Sequence, residues 1–319
     1  MYKNKKFLLI AGGGTLGTYV SKELLRLGAY VEVVCPEDKV SNSDRLTFHQ
    51  SMATEEFLSK LFPKTYYDGI VNFVHYPNYE DYKKIHPLLI KNTDHLIFLS
   101  SYRVYANEQH PITESAPRLL DVVRDQVFLD TENYAVPKAR CEDYLRNERS
   151  GEPWTIVRPV ISFSAKRFDL LMYTGDRIIK ASEQNQTLIM PELVKNFTAG
   201  LDWAGNTGKL IANLLLKKET FGETYSVSSG QNLTWGQVAD IYTKLTGVKI
   251  KWDTEDAFLD FNPILRDVLG YSWMWNFDRR CNRDIDCSKI LKATGLTAKD
   301  FYSIEDGIKL ELEIYNKSL

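Results

Sequence analysis

The sequence predicts an α/β protein built on a doubly wound parallel sheet, with a smaller mixed α+β lobe after it. An apolar run at residues 7–11 leads into a glycine-rich turn, and an amphipathic segment at residues 15–27 follows that turn. Five more strand-like runs alternate with helical segments as far as residue 158. Because alternating strands and helices form parallel sheets with helices on both faces, the first half of the chain fits this class.

The first strand and helix flank the sequence G-x-G-x-x-G, formed by Gly12, Gly14 and Gly17. Glycine permits the tight turn and lets the backbone approach a pyrophosphate, and the helix N-terminus offers free N–H groups to the phosphates. The helix ends at Gly28, and a second strand at residues 30–35 completes a βαβ unit. The motif alone also fits a glycine-rich surface turn, but its place between a strand and a helix favours a dinucleotide site in a Rossmann domain.

The remaining elements of the first half follow in order. Predicted strands cover residues 46–49, 69–74, 96–99 and 154–158, and predicted helices cover residues 54–62, 81–91 and 134–149. In parallel sheets of this kind, ligands bind at the carboxyl ends of the strands. The residues that follow each strand are therefore the first candidates for a functional site.

The second half of the chain changes character. Predicted helices cover residues 174–182, 206–216, 235–246, 257–269 and 304–316, and predicted strands cover residues 223–227 and 248–252. Thr234 and Gln237 form a capping box at the start of the third of these helices. We therefore expect a dinucleotide-binding Rossmann domain at residues 1–163 and a smaller substrate-binding lobe at residues 164–319, parts of which return to the first domain.

Composition and charge argue against several classes of function. The net charge of −2 disfavours a surface built for nucleic acid or an acidic membrane. No apolar run approaches the length of a membrane span, and the apolar run after the basic N-terminus is too short for a secretion signal. The four cysteines lack metal-ligand spacing, which predicts free thiols and no metal site. We expect a cytoplasmic protein that binds neither nucleic acid nor membrane.

Three residues in the first half have the chemistry of a proton-transfer site. Ser101 follows the fifth predicted strand, at the edge where ligands bind. Tyr134 and Lys138 are four residues apart on a predicted helix and therefore share a face. A cation beside a phenol lowers its pKa from about 10, so Lys138 would make Tyr134 an effective proton donor and acceptor. Ser101 would then hydrogen-bond a substrate oxygen.

Less specific explanations fit the same residues. A tyrosine and a lysine four residues apart are common by chance, and a polar strand end needs no function. Pro137 is tolerated only near the first turn of a helix, so this helix should begin at about residue 133. Among the five histidines, His75 alone is of functional interest, because it follows the fourth strand at the cofactor edge. The other four are expected to be structural or exposed.

Together these motifs resemble the extended short-chain dehydrogenase/reductase superfamily, which includes NAD-dependent epimerases and dehydratases of nucleotide sugars. After the glycine turn come S-S-Y-R-V-Y at residues 100–105, Y-x-x-x-K at residues 134–138 and V-R-P at residues 157–159. G-E-T-Y-S-V at residues 222–227 and D-C-S-K at residues 286–289 resemble further family motifs. The similarity spans nearly the whole chain. It implies hydride transfer at a carbinol or carbonyl carbon, with NAD as cofactor and a nucleotide sugar as substrate.

The resemblance also implies roles for individual residues. Ser101, Tyr134 and Lys138 are the expected catalytic residues, and Lys138 is also expected to hold the nicotinamide ribose. The expected cofactor contacts are Gly12, Gly14, Thr15, Leu16, Gly17, Cys35, Val74 and Lys138. Ser101, Arg279 and Arg280 are expected to bind the substrate, the two arginines through its diphosphate. A solvated basic turn explains the two arginines equally well.

The chain departs from the family pattern in several places. Ala11 replaces the leading glycine, and Cys35 stands where the family has the aspartate that holds the adenosine ribose. Glu32 is another acid near this position, but it lies inside a predicted strand and could point either way. The segment before Ser101 is shorter than in the nucleotide-sugar enzymes, which resembles the atypical branch of the superfamily. An alternative therefore stays open, a cofactor-binding regulatory or RNA-binding protein without catalysis.

The loop after the second strand predicts the choice of cofactor. A 2′-phosphate needs a cation at this place, commonly an arginine, whereas Glu37 and Asp38 would repel it. We therefore predict NAD rather than NADP. Lys39 and Arg45 are the residues that would favour NADP instead.

Self-association is expected to be weak. The usual dimer of the family pairs the helix before the fifth strand with the Tyr-x-x-x-Lys helix. Here the first of these, at residues 81–91, is short and carries Lys83, Lys84 and Lys91, so it buries little apolar area. We predict a monomer or a weak dimer, which light scattering at micromolar concentration checks. A tight dimer built on these two helices would contradict the prediction.

Overall fold

Strands and helices alternate along the chain. The computed structural model describes residues 1–41 and 43–318. The strands are β1 (Lys6–Ile10), β2 (Tyr30–Cys35), β3 (Leu46–Gln50), β4 (Gly69–Asn72), β5 (Leu96–Leu99), β6 (Trp154–Pro159), β7 (Ile161–Phe163), β8 (Asp169–Leu170), β9 (Tyr173–Thr174), β10 (Thr187–Pro191), β11 (Leu201–Trp203), β12 (Glu223–Val227) and β13 (Lys249–Asp253). The helices are α1 (Thr15–Arg26), α2 (Glu55–Leu61), α3 (Tyr79–Ile90), α4 (Leu119–Val122), α5 (Gln126–Thr131), α6 (Ala135–Glu148), α7 (Arg177–Glu183), α8 (Ala204–Leu214), α9 (Trp235–Thr246), α10 (Glu255–Phe261), α11 (Ile264–Asp267), α12 (Leu269–Met274), α13 (Ser288–Thr294) and α14 (Ile304–Ser318).

Within the described residues, seven of these strands form one parallel sheet. Its strand order is β3-β2-β1-β4-β5-β6-β12. The order reverses between β1 and β4, which creates a crevice at the carboxyl ends of these two strands. The predicted doubly wound parallel sheet is confirmed, and the crevice is the place where such sheets bind their ligands.

Both faces of the sheet are buried. Along β1, Phe7 and Leu9 join one apolar cluster, whereas Leu8 and Ile10 join a second cluster. Successive side chains of a strand point to opposite faces, so an unbroken apolar run fits a strand that is covered on both sides. The same reasoning explains why this run predicted a buried strand from the sequence.

The second half of the chain contributes to the sheet as well as to the smaller lobe. β12 pairs with β6 as the seventh strand. α8 packs against α1, and an added Cβ on Gly208 would lie only 2.7 Å from the Cβ of Tyr19. Short strand pairs such as β8–β9 and β10–β13 lie outside the central sheet. Because the chain crosses back into the sheet after residue 163, the domain boundary there stays a prediction.

One predicted helix is wrong, and two helices between β5 and α6 were not predicted. The structure breaks residues 257–269 into α10, α11 and α12. Asn262 ends α10 with φ −128° and ψ 63°, because it precedes Pro263 and a residue before proline disfavours the helical region. The unpredicted helices α4 and α5 lie between β5 and α6, where they lead the chain toward Tyr134.

The described part of the chain contains neither a membrane-spanning helix nor a cluster of metal-binding side chains. No helix there has the length and apolar character that crossing a bilayer requires. No group of three or more histidine, cysteine or acidic side chains in residues 1–41 and 43–318 is arranged to hold a metal ion. The cysteines at positions 35, 141, 281 and 287 are free thiols and are buried.

Candidate active site

The glycine turn lies at the N-terminus of α1, and the space beside Gly14 in this turn is open. An added Cβ on Gly17 would overlap the carbonyl oxygen of Gly12, and one on Gly12 would lie 2.7 Å from the Cβ of Leu9. Both glycines are therefore required for the turn to pack. An added Cβ on Gly14 would meet no atom of the described residues within 4 Å. The backbone at Gly14 thus faces free space at the helix N-terminus, as a bound pyrophosphate requires.

An acid stands beside the glycine turn, but it does not come from position 35. Cys35 ends β2, is buried, and donates from Sγ to the carbonyl of Glu37 at 3.7 Å. The Glu37 carboxylate lies at the turn itself, since an added Cβ on Gly13 would overlap its Oε2. Lys39 donates a hydrogen bond to the Gly13 carbonyl. Glu37, rather than Cys35, therefore has the charge and the position to hold ribose hydroxyls.

Glu32, the other acid considered from the sequence, is engaged within the sheet. Its carboxylate accepts a hydrogen bond from the Tyr67 hydroxyl at 2.8 Å and lies 2.7 Å from both Lys6 Nζ and His49 Nε2. Burial by itself would raise the pKa of Glu32. The three partners lower the pKa by a larger amount, so that it is about 2. We interpret Glu32 as a structural carboxylate with no free oxygen for a ribose.

Ser101, Tyr134 and Lys138 meet at the carboxyl end of β5. Ser101 lies two residues beyond the end of the strand and is buried. Lys138 is also buried and donates from Nζ to the carbonyl of Leu99, the last residue of the strand, at 2.6 Å. The same Nζ lies 5.4 Å from the ring centre of Tyr134. The structure thus brings the three expected catalytic side chains to one point of the sheet edge.

The start of α6 explains how Tyr134 is held. Tyr134 is the residue just before the helix. The carboxylate of Glu132 accepts hydrogen bonds from the N–H groups of Tyr134 at 3.1 Å and of Val136 at 2.8 Å. Pro137 is the third helical residue, where a missing N–H costs no intrahelical hydrogen bond. The helix therefore begins within two residues of the predicted position.

The charges around Tyr134 favour its phenolate. Burial raises the pKa of Tyr134, but Lys138 and Arg103, with a hydrogen bond from Ser101 and the charge of Arg167, bring the net pKa below its usual value. The Arg103 guanidinium lies 4.7 Å from the Tyr134 ring centre. Burial lowers the pKa of Lys138, which Tyr134 opposes. The structure thus adds Arg103 to Lys138 as a cation that lowers the pKa of Tyr134.

His75 also contacts Tyr134. The two ring centres are 5.2 Å apart, and His75 Nε2 lies 2.7 Å from the carbonyl oxygen of Asn133. Burial lowers the pKa of His75, so the ring is neutral near pH 7 and donates from Nε2. The position of His75 after a strand was visible in the sequence. Nothing in the sequence indicated that Arg103 would lie over the Tyr134 ring.

One cavity of about 310 Å³ connects the start of α1 with Ser101 and Tyr134. Its lining includes Thr15 and Leu16 from α1, Ser101 and Tyr134 from the sheet edge, and Arg279 from the second half of the chain. Expected cofactor contacts, expected catalytic residues and one expected substrate contact therefore share a single space.

Several expected contacts do not line this cavity, among them Arg280 and Val74. Arg280 is exposed and pairs with Glu255 at 3.0 Å, whereas Arg279 points inward and donates to Asp169 at 3.0 Å. The two arginines diverge because they follow each other at the end of the π-helical turn Trp275–Arg279. Val74 is half-buried and packs against an apolar cluster of the sheet.

A buried ion network supports the strand that carries the site. Ser100 donates to the Glu142 carboxylate at 2.6 Å, and Arg158 donates to the same carboxylate through Nε at 2.8 Å. Arg118 Nη1 lies 3.3 Å from it. Burial by itself would raise the pKa of Glu142. Arg158, Arg146 and Ser100 lower the pKa by a larger amount, so that it is about 2. The end of β5 next to Ser101 is thereby tied to α6.

Replacing Glu142 with alanine is expected to destabilise the protein by about 3–5 kcal/mol, because it leaves Arg158 buried without its partner. The folded-state pKa lies below that of the unfolded chain. The contribution is therefore complete above about pH 5 and is lost as the pH falls from about 4.5 toward 2. Denaturant unfolding at pH 7 and pH 3 measures both effects. Glu148→Ala, on the exposed end of the same helix, is the control, and equal losses in the two variants would contradict the prediction.

Comparison with known proteins identifies shared architecture. The chain is 15% identical to UDP-glucose 4-epimerase from Thermotoga maritima, with 98% of this chain and 99% of that chain covered and a TM-score of 0.69. It is 15% identical to dTDP-glucose 4,6-dehydratase from Bacillus anthracis in complex with NAD, with 98% and 97% covered and a TM-score of 0.71. The enzyme WbmG from Bordetella bronchiseptica in complex with NAD is also 15% identical, with 99% and 95% covered and a TM-score of 0.69.

No protein-family model matches the chain, and no curated protein sequence matches it. The structural likenesses cover both halves of the chain and show its fold. It is the Rossmann-type α/β fold of the NAD-dependent epimerases and dehydratases.

Proposed function

We propose that this protein is an NAD-dependent oxidoreductase of the epimerase/dehydratase type, which transfers a hydride at a carbinol or carbonyl carbon of a nucleotide sugar. One observation carries the proposal: Ser101, Tyr134 and Thr15 line one cavity, with Lys138 behind Tyr134. A protein that only binds a cofactor would not require the Tyr134 phenol to lie between the cations Lys138 and Arg103. The nucleotide sugar is supported by the resemblance of motifs and by the fold shared with enzymes of such substrates.

Each side chain has a distinct role in the proposed reaction. The Tyr134 phenolate takes the proton from the substrate hydroxyl during oxidation, the resulting phenol returns it to the substrate oxygen during reduction, and Lys138 and Arg103 stabilise the phenolate. Ser101 hydrogen-bonds the same substrate oxygen and fixes its position. Bound NAD supplies the hydride acceptor. The open space at Gly14 fits its pyrophosphate, and Glu37 fits the adenosine ribose.

The proposal predicts that NAD binds at least about tenfold more tightly than NADP, because the Glu37 carboxylate would repel a 2′-phosphate. The cations that would favour NADP already donate to backbone carbonyls, Lys39 to that of Gly13 and Arg45 to that of Leu25 at 3.0 Å. Fluorescence titration with both dinucleotides measures the ratio.

In this titration Glu37→Gln should reduce the preference for NAD, whereas Glu56→Gln on the exposed face of α2 should leave it unchanged. Tighter binding of NADP that weakens in Lys39→Ala or Arg45→Ala would overturn the choice of cofactor.

A substrate screen tests the activity itself. The protein is mixed with NAD or NADH and a panel of nucleotide sugars and small carbonyl compounds, and absorbance at the nicotinamide band is followed. Product analysis is added for each nucleotide sugar, because an epimerase returns its cofactor to the starting state. If the protein binds NAD but converts no member of the panel, the proposed nucleotide-sugar substrate is withdrawn.

A further inference from the structure

The guanidinium that covers Tyr134 lies near two carboxylates. Arg103 Nε is 3.4 Å from Oδ2 of Asp278, and Arg103 Nη2 is 3.9 Å from Oε1 of Glu132. Within the described residues, Arg103 Nε has no hydrogen-bond partner. The position of this guanidinium therefore depends on attraction between charges rather than on directional hydrogen bonds.

Asp278 is the stronger of the two partners. Glu132 uses Oε2 to accept hydrogen bonds from the N–H groups of Tyr134 and Val136, so its position is set by the start of α6. The Asp278 carboxylate lies closer to Arg103 and is only 2% exposed. Because the attraction between two charges grows at shorter distance and away from water, Asp278 contributes more to holding Arg103 in place.

Asp278 is itself fixed by other contacts. It belongs to the π-helical turn Trp275–Arg279, and its Oδ2 accepts a hydrogen bond from the Tyr102 hydroxyl at 3.0 Å. Burial by itself would raise the pKa of Asp278, but the neighbouring arginines lower it by a larger amount, so the carboxylate is ionised near neutral pH. An ionised side chain from the second half of the chain thus contacts the segment that follows Ser101.

Two further arginines lie near Asp278, but each has additional partners. Arg279 Nε is 3.6 Å from this carboxylate, and Arg279 Nη2 donates to Asp169 at 3.0 Å. Arg283 Nε is 3.4 Å from it, and the other two nitrogens of that guanidinium donate to backbone carbonyls at 3.1 Å and 2.6 Å. The Arg103 guanidinium makes no comparable hydrogen bond in residues 1–41 and 43–318, so it depends on Asp278 more than the other two do.

We infer that Asp278 is a positioning residue for the proposed reaction, because it keeps the Arg103 guanidinium over the ring of Tyr134. The guanidinium lies 4.7 Å from the centre of that ring. A cation at this distance stabilises the phenolate, the form of Tyr134 that accepts the substrate proton. The inference rests on the proposed function, since it affects turnover only if Tyr134 transfers the proton.

Two simpler roles of Asp278 predict other results when asparagine replaces it. A purely structural carboxylate would leave the pKa of Tyr134 unchanged. A negative charge acting directly on Tyr134 would disfavour the phenolate, so its removal would lower that pKa. If Asp278 acts through Arg103, its removal frees the guanidinium to leave the ring, and the pKa of Tyr134 rises. The sign of the change therefore separates the three roles.

The pKa of Tyr134 is measured without a substrate. The tyrosines are isotopically labelled at Cζ, NAD is added, and the NMR shift of each is followed as the pH is raised. The signal that is missing from Tyr134→Phe belongs to Tyr134. The other groups that face this ring, Lys138, Arg167 and the neutral His75, are the same in every variant, so a change in the pKa reports on Arg103 and its partner.

We expect Arg103→Met to raise the pKa of Tyr134 by about one pH unit or more, the usual effect of losing a nearby opposite charge. Asp278→Asn keeps an oxygen that accepts from Tyr102 and should also raise the pKa. The double variant should match Arg103→Met, because Asp278 acts through Arg103. Asp169→Asn is the control, since it also removes a buried carboxylate from an arginine but should leave the pKa of Tyr134 unchanged.

Thermal unfolding shows which variants are folded. If Asp278→Asn is not, the same exchange is made together with Arg279→Met, which removes a positive charge from the cluster, and is compared with Arg279→Met alone. Four results overturn the inference: an unchanged or lowered pKa on loss of Asp278, an unchanged pKa in Arg103→Met, a double variant that differs from Arg103→Met, and an equal rise in Asp169→Asn.

The outcome is separate from that of the proposed function. With a converted substrate, Asp278→Asn should also move the pH dependence of substrate oxidation to higher pH, which a structural role would not do. If the pKa of Tyr134 does not respond to Asp278 although Tyr134→Phe loses turnover, the inference fails and the proposed function stands. If the pKa responds but Tyr134→Phe turns over normally, the proposed role of Tyr134 fails and the link between Asp278 and Tyr134 remains.

Discussion

Replacing Tyr134 with phenylalanine is expected to lower turnover about 10²–10⁴-fold, the usual contribution of a positioned acid–base group. The substitution removes one oxygen and leaves the ring packed between Arg103, Lys138 and His75. Stability and NAD affinity should therefore change little. Steady-state rates, thermal unfolding and NAD titration of the variant measure the three quantities.

Tyr66→Phe is the matched control, because it also removes a phenolic oxygen, from an exposed tyrosine bonded to Asp94. Lys138→Met should lower both turnover and NAD affinity. It should also move the pH–rate profile to higher pH, since the charge of Lys138 holds the pKa of Tyr134 down. Unimpaired turnover in Tyr134→Phe would overturn the role of Tyr134, and unimpaired cellular function of a protein that shows no turnover would favour the alternative, a cofactor-binding protein without catalysis.

Replacing Gly14 with valine is expected to abolish NAD binding, with a loss of at least about 100-fold, while the protein stays folded. The backbone at Gly14 has φ −78°, which any residue adopts, and its added Cβ would meet only open space. The new side chain would therefore fill the place of the pyrophosphate without straining the turn. NAD titration and thermal unfolding of the variant test the two halves of this expectation.

Gly17→Ala provides the contrast in the same turn. Its Cβ would overlap the Gly12 carbonyl, so the turn must shift, and we expect a loss of about 1–3 kcal/mol in unfolding free energy. A Gly14→Val variant that binds NAD normally would place the cofactor elsewhere. A Gly14→Val variant that unfolds like Gly17→Ala would show that the space at Gly14 is needed by the protein itself.

The predicted strands and helices depended on local physics, and most of them were correct for that reason. The strands at residues 30–35, 96–99 and 223–227 have the predicted bounds. Thr234 and Gln237 form the predicted capping box, and Gly247 ends that helix with φ 76°. A period of two or of 3.6 residues, a capping oxygen and a glycine with positive φ are all decided within a few residues of the chain.

The differences between the predicted and the observed structure also have local causes. The helix predicted at residues 257–269 ignored Pro263, which excludes a continuous helix. Ala11, which replaces the family's leading glycine, still adopts φ 55°, so the turn keeps a backbone conformation that alanine disfavours. The alanine in the sequence therefore did not indicate that the left-handed backbone conformation at position 11 is retained.

The sequence by itself determined the class of fold, the glycine turn and the choice of Ser101, Tyr134 and Lys138, because each depends on short-range spacing. Only the tertiary structure decided which charges surround them. Glu37 rather than Cys35 stands at the turn, Arg279 but not Arg280 lines the cavity, and Arg103 covers Tyr134. These side chains come from segments far apart in the chain, and their meeting depends on how loops cross the sheet edge and how the second half packs against it. No periodicity encodes such contacts, since they are fixed by the free energy of the whole packed molecule rather than by neighbouring residues.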